Sequence, residues 1–138
     1  MNLTQLLTQA ETIAPASSER LPAADMAQLI MRLSPGDGFT IAPDGTPAQP
    51  HGYALAQPDT ITYAMNLQSL EQWYSSLNLP ANGWIGGWHD PENGVREANV
   101  TFIIADMDRA LMLCQQLGED AVYGLKEGHN IYADTRQS

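Results

Sequence analysis

Residues 84–104 read WIGGWHDPENGVREANVTFII and predict two antiparallel strands joined by a turn. The first segment, Trp84–His89, is rich in aromatic and apolar residues, which favour extended backbone. Residues 90–94, DPENG, consist of turn formers. The segment Asn99–Ile104 is rich in β-formers and returns as the second strand. This hairpin is the part of the fold that the sequence predicts most clearly.

A helix and two further strands are predicted after the hairpin. Asp106 or Asp108 can cap a helix over 107–117, and Gly118 ends it. Two strands follow at 121–125 and 129–132, with a turn of sequence KEG between them. The second half of the chain is therefore predicted to form a ββαββ unit.

The residues before the hairpin predict three more helices, each marked by apolar residues at helical spacing. These helices are expected over about 3–13, from Pro22 to Leu33, and over 67–77 with Asn66 as the N-cap. Residues 39–41 and 52–56 are expected to pair as a hairpin around a long loop, and residues 60–63 to form a short strand.

Because the strands come in hairpins and do not alternate with helices, the predicted fold class is α+β. The sheet is expected to be mainly antiparallel and packed with about four helices. The predicted organisation is a single domain over 1–138, with a helical N-terminal segment at 1–37 and a core at 38–132.

The charge of the chain limits its partners. Sixteen acidic residues face six basic ones, of which Lys126 is the single lysine, and the formal net charge is −10. Direct binding to nucleic acid or to an anionic membrane by bulk charge is therefore not expected. A basic protein surface is the expected partner, and the alternative is that the acidity only keeps the protein in solution.

Cysteine content and the apolar runs indicate a compartment. Cys114 is the single cysteine, so no disulfide can form within the chain, which fits a reducing environment. The N-terminal residues lack a basic region followed by a long apolar run, so no secretory signal is expected. The apolar run at 102–105 is too short to cross a bilayer. A cytoplasmic location is expected.

No set of metal ligands or nucleophiles has a recognisable spacing. His51, His89 and His129 are the only histidines, and no second cysteine joins Cys114, which sits on the apolar face of a predicted helix and is expected to be a buried thiol. The carboxylates of Glu92, Glu97, Asp106 and Asp108 could perform acid–base chemistry, but turns and helix caps also favour acids at such places. We therefore predict no enzyme, no catalytic residue, no metal and no cofactor.

Two tryptophans in the first strand of the hairpin raise an alternative. With the period of a strand, Trp84, Gly86 and Trp88 share one face. If that face is exposed, the two indoles form a binding platform, because tryptophan is enriched at interaction hot spots. If the helix over 67–77 packs on it, the pair belongs to the core, which is the interpretation we favour.

The motif order resembles that of a group of small proteins. Residues 38–41 (GFTI), 52–56 (GYALA), 86–94 (GGWHDPENG) and 120–125 (DAVYGL) are similar to the "GFT…GYxV" hairpin and the "GGWxDPxTG…A-I-x-D-L" unit of small proteins without assigned activity from actinobacterial genomes, phages and integrated mobile elements. The chain departs from that pattern at Glu119-Asp120 and at Asn130. The resemblance implies mobile-element cargo, in which small acidic inhibitors of host defence recur.

Three functional hypotheses follow. The first is a non-enzymatic acidic protein, an inhibitor or adaptor from a phage or mobile element, that binds a basic surface such as the nucleic-acid-binding groove of a host defence complex. Its predicted partner-binding residues are Trp84, Trp88, Asp90, Glu92, Glu97, Asp106, Asp108, Glu119 and Asp120. The second is a ligand-binding or enzymatic module that uses Trp84, Trp88, His89 and Asp90. The third is a dimeric accessory or antitoxin-like subunit, and a homo-oligomer is left open.

Overall fold

A computed structural model of the chain describes residues 12–133, and in this range it contains an antiparallel sheet of eight strands and three α-helices. The strands are β1 (Thr12–Ile13), β2 (Gly38–Ile41), β3 (Tyr53–Ala56), β4 (Thr62–Ala64), β5 (Trp84–His89), β6 (Arg96–Ile104), β7 (Ala121–Gly124) and β8 (His129–Tyr132). The helices are α1 (Ala23–Met31), α2 (Leu67–Ser76) and α3 (Met107–Gln116). The α+β class and the antiparallel sheet are thereby confirmed.

Strand β6 organises the sheet, because it pairs with four other strands. Its first six residues pair with β5 in the predicted hairpin. Strands β4 and β3 follow one another along its opposite edge. On the same edge as β5, β1 pairs with the last two residues of β6, Ile103 and Ile104. The order across the sheet is β2-β5-β6-β3-β7-β8.

All three helices pack on one face of the sheet. Every second residue of β6 points to that face, and Ala98, Val100, Phe102 and Ile104 are at most 1% exposed. Helices α1 and α2 share a core cluster with Ile85 of β5, and α3 shares one with the later half of β6. The other residues of β6 point to the face that the helices leave open.

Three of the predicted helix ends are confirmed, whereas the helix predicted from Pro22 to Leu33 is shorter and spans Ala23–Met31. Asn66 caps α2 by accepting from the Ser69 backbone N–H at 2.9 Å. Asp106 caps α3 by accepting from the Arg109 N–H at 2.8 Å. After α3, Gly118 takes a positive φ of 74°, and the next N–H reaches back to the Cys114 carbonyl at 3.0 Å.

The predicted hairpin between residues 39–41 and 52–56 is wrong. Strand β2 pairs with β5, and β3 inserts between β6 and β7. The loop after β2 folds back instead, so that the N–H of Ala48 bonds to the carbonyl of Thr40 at 3.0 Å and takes up the free edge of β2. The strand that follows the loop is then left to pair elsewhere.

The N-terminal prediction and the predicted ββαββ unit need correction as well. Most of the helix expected over 3–13 lies outside the described residues, and its last two positions form β1. Three helices, and not about four, are found in residues 12–133. The elements β5, β6, α3, β7 and β8 do follow in that order, but β3 separates β6 from β7 in the sheet, so they form no closed unit.

Within 12–133, no helix is long and apolar enough to cross a membrane.

Candidate partner-binding face

The face of the sheet opposite the helices is concave and encloses a cavity of about 690 Å³. Residues of both end strands, β2 and β8, line the same cavity, which shows that the sheet curls around it. We call this surface the concave face. It is lined chiefly by Gly38, Thr40, Ala54, Ala56, Tyr63, Gly86, Trp88, Glu97, Asn99, Thr101, Glu119, Ala121, Tyr123, His129 and Asn130.

Small residues form the floor of the concave face. Ala54 and Ala56 come from β3, and Gly86 comes from the middle of β5. A Cβ atom at Gly86 would lie 2.5 Å from Oγ1 of Thr101 and 2.7 Å from Oδ1 of Asn99. Glycine at this position therefore makes room for two polar side chains of the neighbouring strand.

Those polar side chains form a short hydrogen-bonded chain that ends at a carboxylate. Thr101 and Asn99 are 4% and 6% exposed, and the Thr101 hydroxyl donates to Oδ1 of Asn99. The Asn99 amide in turn donates from Nδ2 to Oε2 of Glu97 at 3.4 Å. These two hydrogen bonds orient Glu97, because the Asn99 amide is itself held in place and restricts the carboxylate that it contacts.

Glu97 lies between two exposed aromatic residues. Trp88 of β5 is its partner in the ladder on one side, and Tyr63 of β4 is its partner on the other. Their exposed fractions are 42% for Trp88 and 68% for Tyr63. Gly38 stands across from Trp88 on β2 and has no side chain to cover the indole. We call Trp88, Glu97 and Tyr63 the aromatic–carboxylate row.

The electrostatics of the concave face favour a positive charge. Burial raises the pKa of Glu97, and the charge of Glu119 raises it further, while the hydrogen bond from Asn99 acts in the opposite direction. Burial and the neighbouring Asp120 also raise the pKa of Glu119. Among the described residues that line the face there is no lysine or arginine. A cation between the two glutamates would relieve their repulsion.

Three of the predicted partner-binding residues meet on this face: Trp88, Glu97 and Glu119. Asp120 is exposed beside Glu119. The cavity is thus lined by predicted residues from β5, from β6 and from the loop after α3.

Trp84 differs from Trp88 although both point to the same side of β5. It is 7% exposed, packs with Ala42 and Ile103, and donates from Nε1 to the carbonyl of Ile13 at 2.7 Å. The loop after β2 and strand β1 cover this end of the face. The favoured core interpretation is therefore right for Trp84 and wrong for Trp88, and α2 packs on the other side of the sheet, against Ile85.

The remaining predicted partner residues lie away from the cavity. Asp90 has a local role, because its Oδ1 accepts from the Glu92 N–H at 2.9 Å within the turn between β5 and β6. Asp106 and Asp108 line a separate, more open depression at the start of α3. The acids predicted as one surface are thus distributed over three places.

The four residues of the predicted ligand-binding or enzymatic module are not assembled. His89 is buried on the helix-covered side, where its Nδ1 lies 2.8 Å from the carbonyl oxygen of Leu33. Trp84 is covered and Asp90 is held in its turn, which leaves only Trp88 available.

Cys114 is buried as expected, and burial, followed by the charges of Glu119 and Asp120, raises the pKa of its thiol to about 11. Such a thiol is a poor nucleophile at neutral pH. In the part of the chain that the structure describes, no group of three or more histidine, cysteine or acidic side chains is arranged to hold a metal ion.

Sequence reasoning missed most of the residues that line the concave face, among them Tyr63, Asn99, Thr101 and Tyr123. A signal for two of them was present. In the segment EANVTF (97–102) polar and apolar residues alternate, which indicates a strand with one buried and one open face. Tyr63 and Tyr123 carry no comparable signal, because they reach this face only through the pairing of β4 and β7.

In comparisons with known proteins, no family model, no curated protein and no solved structure matches this chain. The resemblance to small mobile-element proteins therefore stays a prediction.

Proposed function

We propose that this chain is a non-enzymatic binding protein that accepts a basic surface of a partner protein on its concave face. The observation that carries the proposal is the composition of that face. Two glutamates with raised pKa values and three exposed aromatic residues line it, without a lining lysine or arginine. Tryptophan, tyrosine and a complementary charge are the features that recur at interaction hot spots.

The shape of the face supports a protein segment as the occupant. The floor of small residues lets a backbone or a long side chain approach the sheet closely. Exposed Trp88 and Tyr123 provide apolar area on two different strands, and the opening spans the sheet from β2 to β8. A partner segment would thus place apolar area against these rings while its cations pair with the carboxylates.

The resemblance to mobile-element proteins supports a more specific version of the proposal. The partner would then be the basic, nucleic-acid-binding surface of a host complex, and the chain would act as an inhibitor or adaptor. Its formal charge of −10 favours rapid encounter with such a surface.

A titration with peptides of opposite charge tests the proposal. Fluorescein-labelled peptides rich in lysine and arginine are expected to bind, and the affinity should fall as salt is raised. Peptides in which aspartate and glutamate replace the basic residues are expected not to bind. Anisotropy gives the dissociation constants.

A double variant locates the site. Glu97→Gln with Glu119→Gln is expected to weaken binding of the basic peptide at least tenfold, since two partly buried carboxylates are lost. The matched control is Asp59→Asn with Glu92→Gln, which removes two exposed acids outside the concave face. Equal loss in both double variants would mean that only the net charge matters and would contradict the proposal.

A further inference from the structure

The aromatic–carboxylate row lies across three adjacent strands of the concave face. Glu97 stands in the middle strand of three, with Trp88 directly across on one side and Tyr63 directly across on the other. Adjacent strands lie about 4.8 Å apart, so the two aromatic residues arise roughly 10 Å from one another. This separation leaves a gap above Glu97 that is wide enough for a planar group to lie against one of the two aromatic side chains.

The carboxylate at the centre of this gap is held in a defined position. Asn99 donates to Oε2 of Glu97 and is itself fixed by Thr101, while both of these residues are more than nine-tenths buried. The other oxygen, Oε1, has its acceptor capacity available to a ligand that enters from the open side, and Oε2 retains a further lone pair.

We propose that the aromatic–carboxylate row binds an arginine side chain of the partner. The planar guanidinium pairs with both oxygens of Glu97 and stacks against Trp88, with Tyr63 closing the opposite side. Arginine suits this geometry better than lysine, because the guanidinium donates in a fixed fork and stacks on aromatic faces, whereas the ammonium is a compact and strongly hydrated charge. This inference rests on the proposed function and adds to it the identity of the side chain that is recognised.

The neighbours of the row agree with a single positive charge at this point. Glu119 lies close enough to Glu97 to disfavour its charged form, and Asp120 has the same effect on Glu119. Trp88 is 42% exposed, so its indole is accessible to a ligand without rearrangement of the sheet.

Peptides that differ only in the basic residue test the proposal on the native protein. The probes are repeats of Arg-Ser-Gly and the same repeats with lysine, trimethyl-lysine or citrulline in place of arginine. Calorimetry is expected to give an affinity for the arginine peptide at least tenfold above that for the lysine peptide, with no measurable binding of the uncharged citrulline peptide. Quenching of tryptophan fluorescence should accompany binding of the arginine peptide.

Variants assign the preference to the row. Glu97→Gln is expected to lower the affinity for the arginine peptide roughly tenfold to a hundredfold and to bring it level with the lysine peptide. Trp88→Ala is expected to lower it about three- to tenfold, and Trp88→Phe to restore part of the loss. Glu92→Gln, in the exposed turn, is the matched control and should leave the affinity unchanged.

The outcomes separate this inference from the function on which it rests. Equal affinity for arginine and lysine peptides, lost in the Glu97 and Glu119 double variant, would overturn the arginine preference and leave the proposed function standing. Tighter binding of trimethyl-lysine than of arginine would also overturn it, because the row would then be a cage for an alkylated ammonium. Binding of no cationic peptide would overturn both.

Discussion

Arg96 donates from Nη2 to the carbonyl oxygen of Met31, the last residue of α1, at 3.1 Å. Helix α1 has no basic residue in its last turn, and Arg96 adds a positive charge from the sheet to that of the C-cap residue, Arg32. From Nη1 the same guanidinium donates to the carbonyl of Gly94 at 3.2 Å, so it connects the turn of the central hairpin to the helix.

We expect Arg96→Ala to lower the free energy of unfolding by about 1–3 kcal/mol, since helix-end and turn carbonyls lose their donor in a partly buried place. Arg96→Lys should recover little of this, because one ammonium does not reproduce the two-directional fork. Urea denaturation followed by circular dichroism measures both. If Arg96→Lys were as stable as the native chain, a point charge would be sufficient and the bonding described would not be needed.

A second prediction concerns Gly86, where one added carbon atom would crowd the side chains of the neighbouring strand. Gly86→Ala places a methyl group against the Thr101 hydroxyl and the Asn99 amide, with 2.5 Å and 2.7 Å to the nearest oxygens. We expect a loss of about 1–3 kcal/mol, as for other overpacked sites. In combination with Thr101→Ala part of the loss should be recovered, so the double-mutant cycle would show coupling. Strict additivity in thermal melts would contradict the crowding.

The parts of the fold that sequence predicted well are those specified by neighbouring residues. The hairpin from Trp84 to Ile104, the caps Asn66 and Asp106, and the helix stop at Gly118 each depend on chemistry within a few positions. The pairing of β3 with β6 joins segments almost fifty positions apart along the chain, as with Leu55 and Phe102, and local propensity carries no information about it.

The candidate site was predicted only in part, because it too depends on pairing between distant segments. Alternation along β5 correctly places Trp84 and Trp88 on one side, but which of them is covered depends on β1 and on the loop after β2. Tyr63 reaches the concave face only because β4 pairs with the first residues of β6. The sequence shows which residues of a strand share a face. Pairing between distant segments determines whether that face is covered or exposed.

Variants of Asp106, the N-cap of α3, distinguish a role in stability from a role in binding. Asp106 was predicted as a partner-binding residue, and its carboxylate accepts the Arg109 N–H at 2.8 Å. Asp106→Ala should cost about 1 kcal/mol of stability, and Asp106→Asn, which keeps a side-chain oxygen, much less. Both variants should bind the basic peptide as the native chain does. Loss of binding in Asp106→Asn with stability intact would instead place this residue in the interface.

Cys114 should be inert in the folded protein. Burial raises the pKa of its thiol to about 11, and its Sγ lies 3.2 Å from the carbonyl oxygen of Glu119, to which it can donate. At pH 8 we expect Ellman's reagent to leave the native thiol unmodified for as long as the fold persists, and to react stoichiometrically in denaturing urea. Rapid modification of the native protein would show that the segment around Glu119 opens readily.

Glu97 links stability to pH in a direction that its surroundings determine. Burial and the charge of Glu119 raise its pKa above the ordinary value of 4.5, so the folded state holds its proton more tightly than the unfolded state. Stability from this group is complete below the ordinary pKa and is lost as the pH rises through the raised value. Glu97→Gln removes the buried charge and should therefore raise the melting temperature at pH 7.

The same variant should lose this advantage as the pH falls to about 4, where native Glu97 is protonated and resembles the amide. Glu92→Gln, in the exposed turn, should show no such trend. An offset in melting temperature that is equal at every pH would assign the effect to packing and would contradict the linkage. If Glu97→Gln both stabilises the fold and weakens binding of the arginine peptide, the carboxylate is kept at the expense of stability, as is expected of a residue retained for recognition.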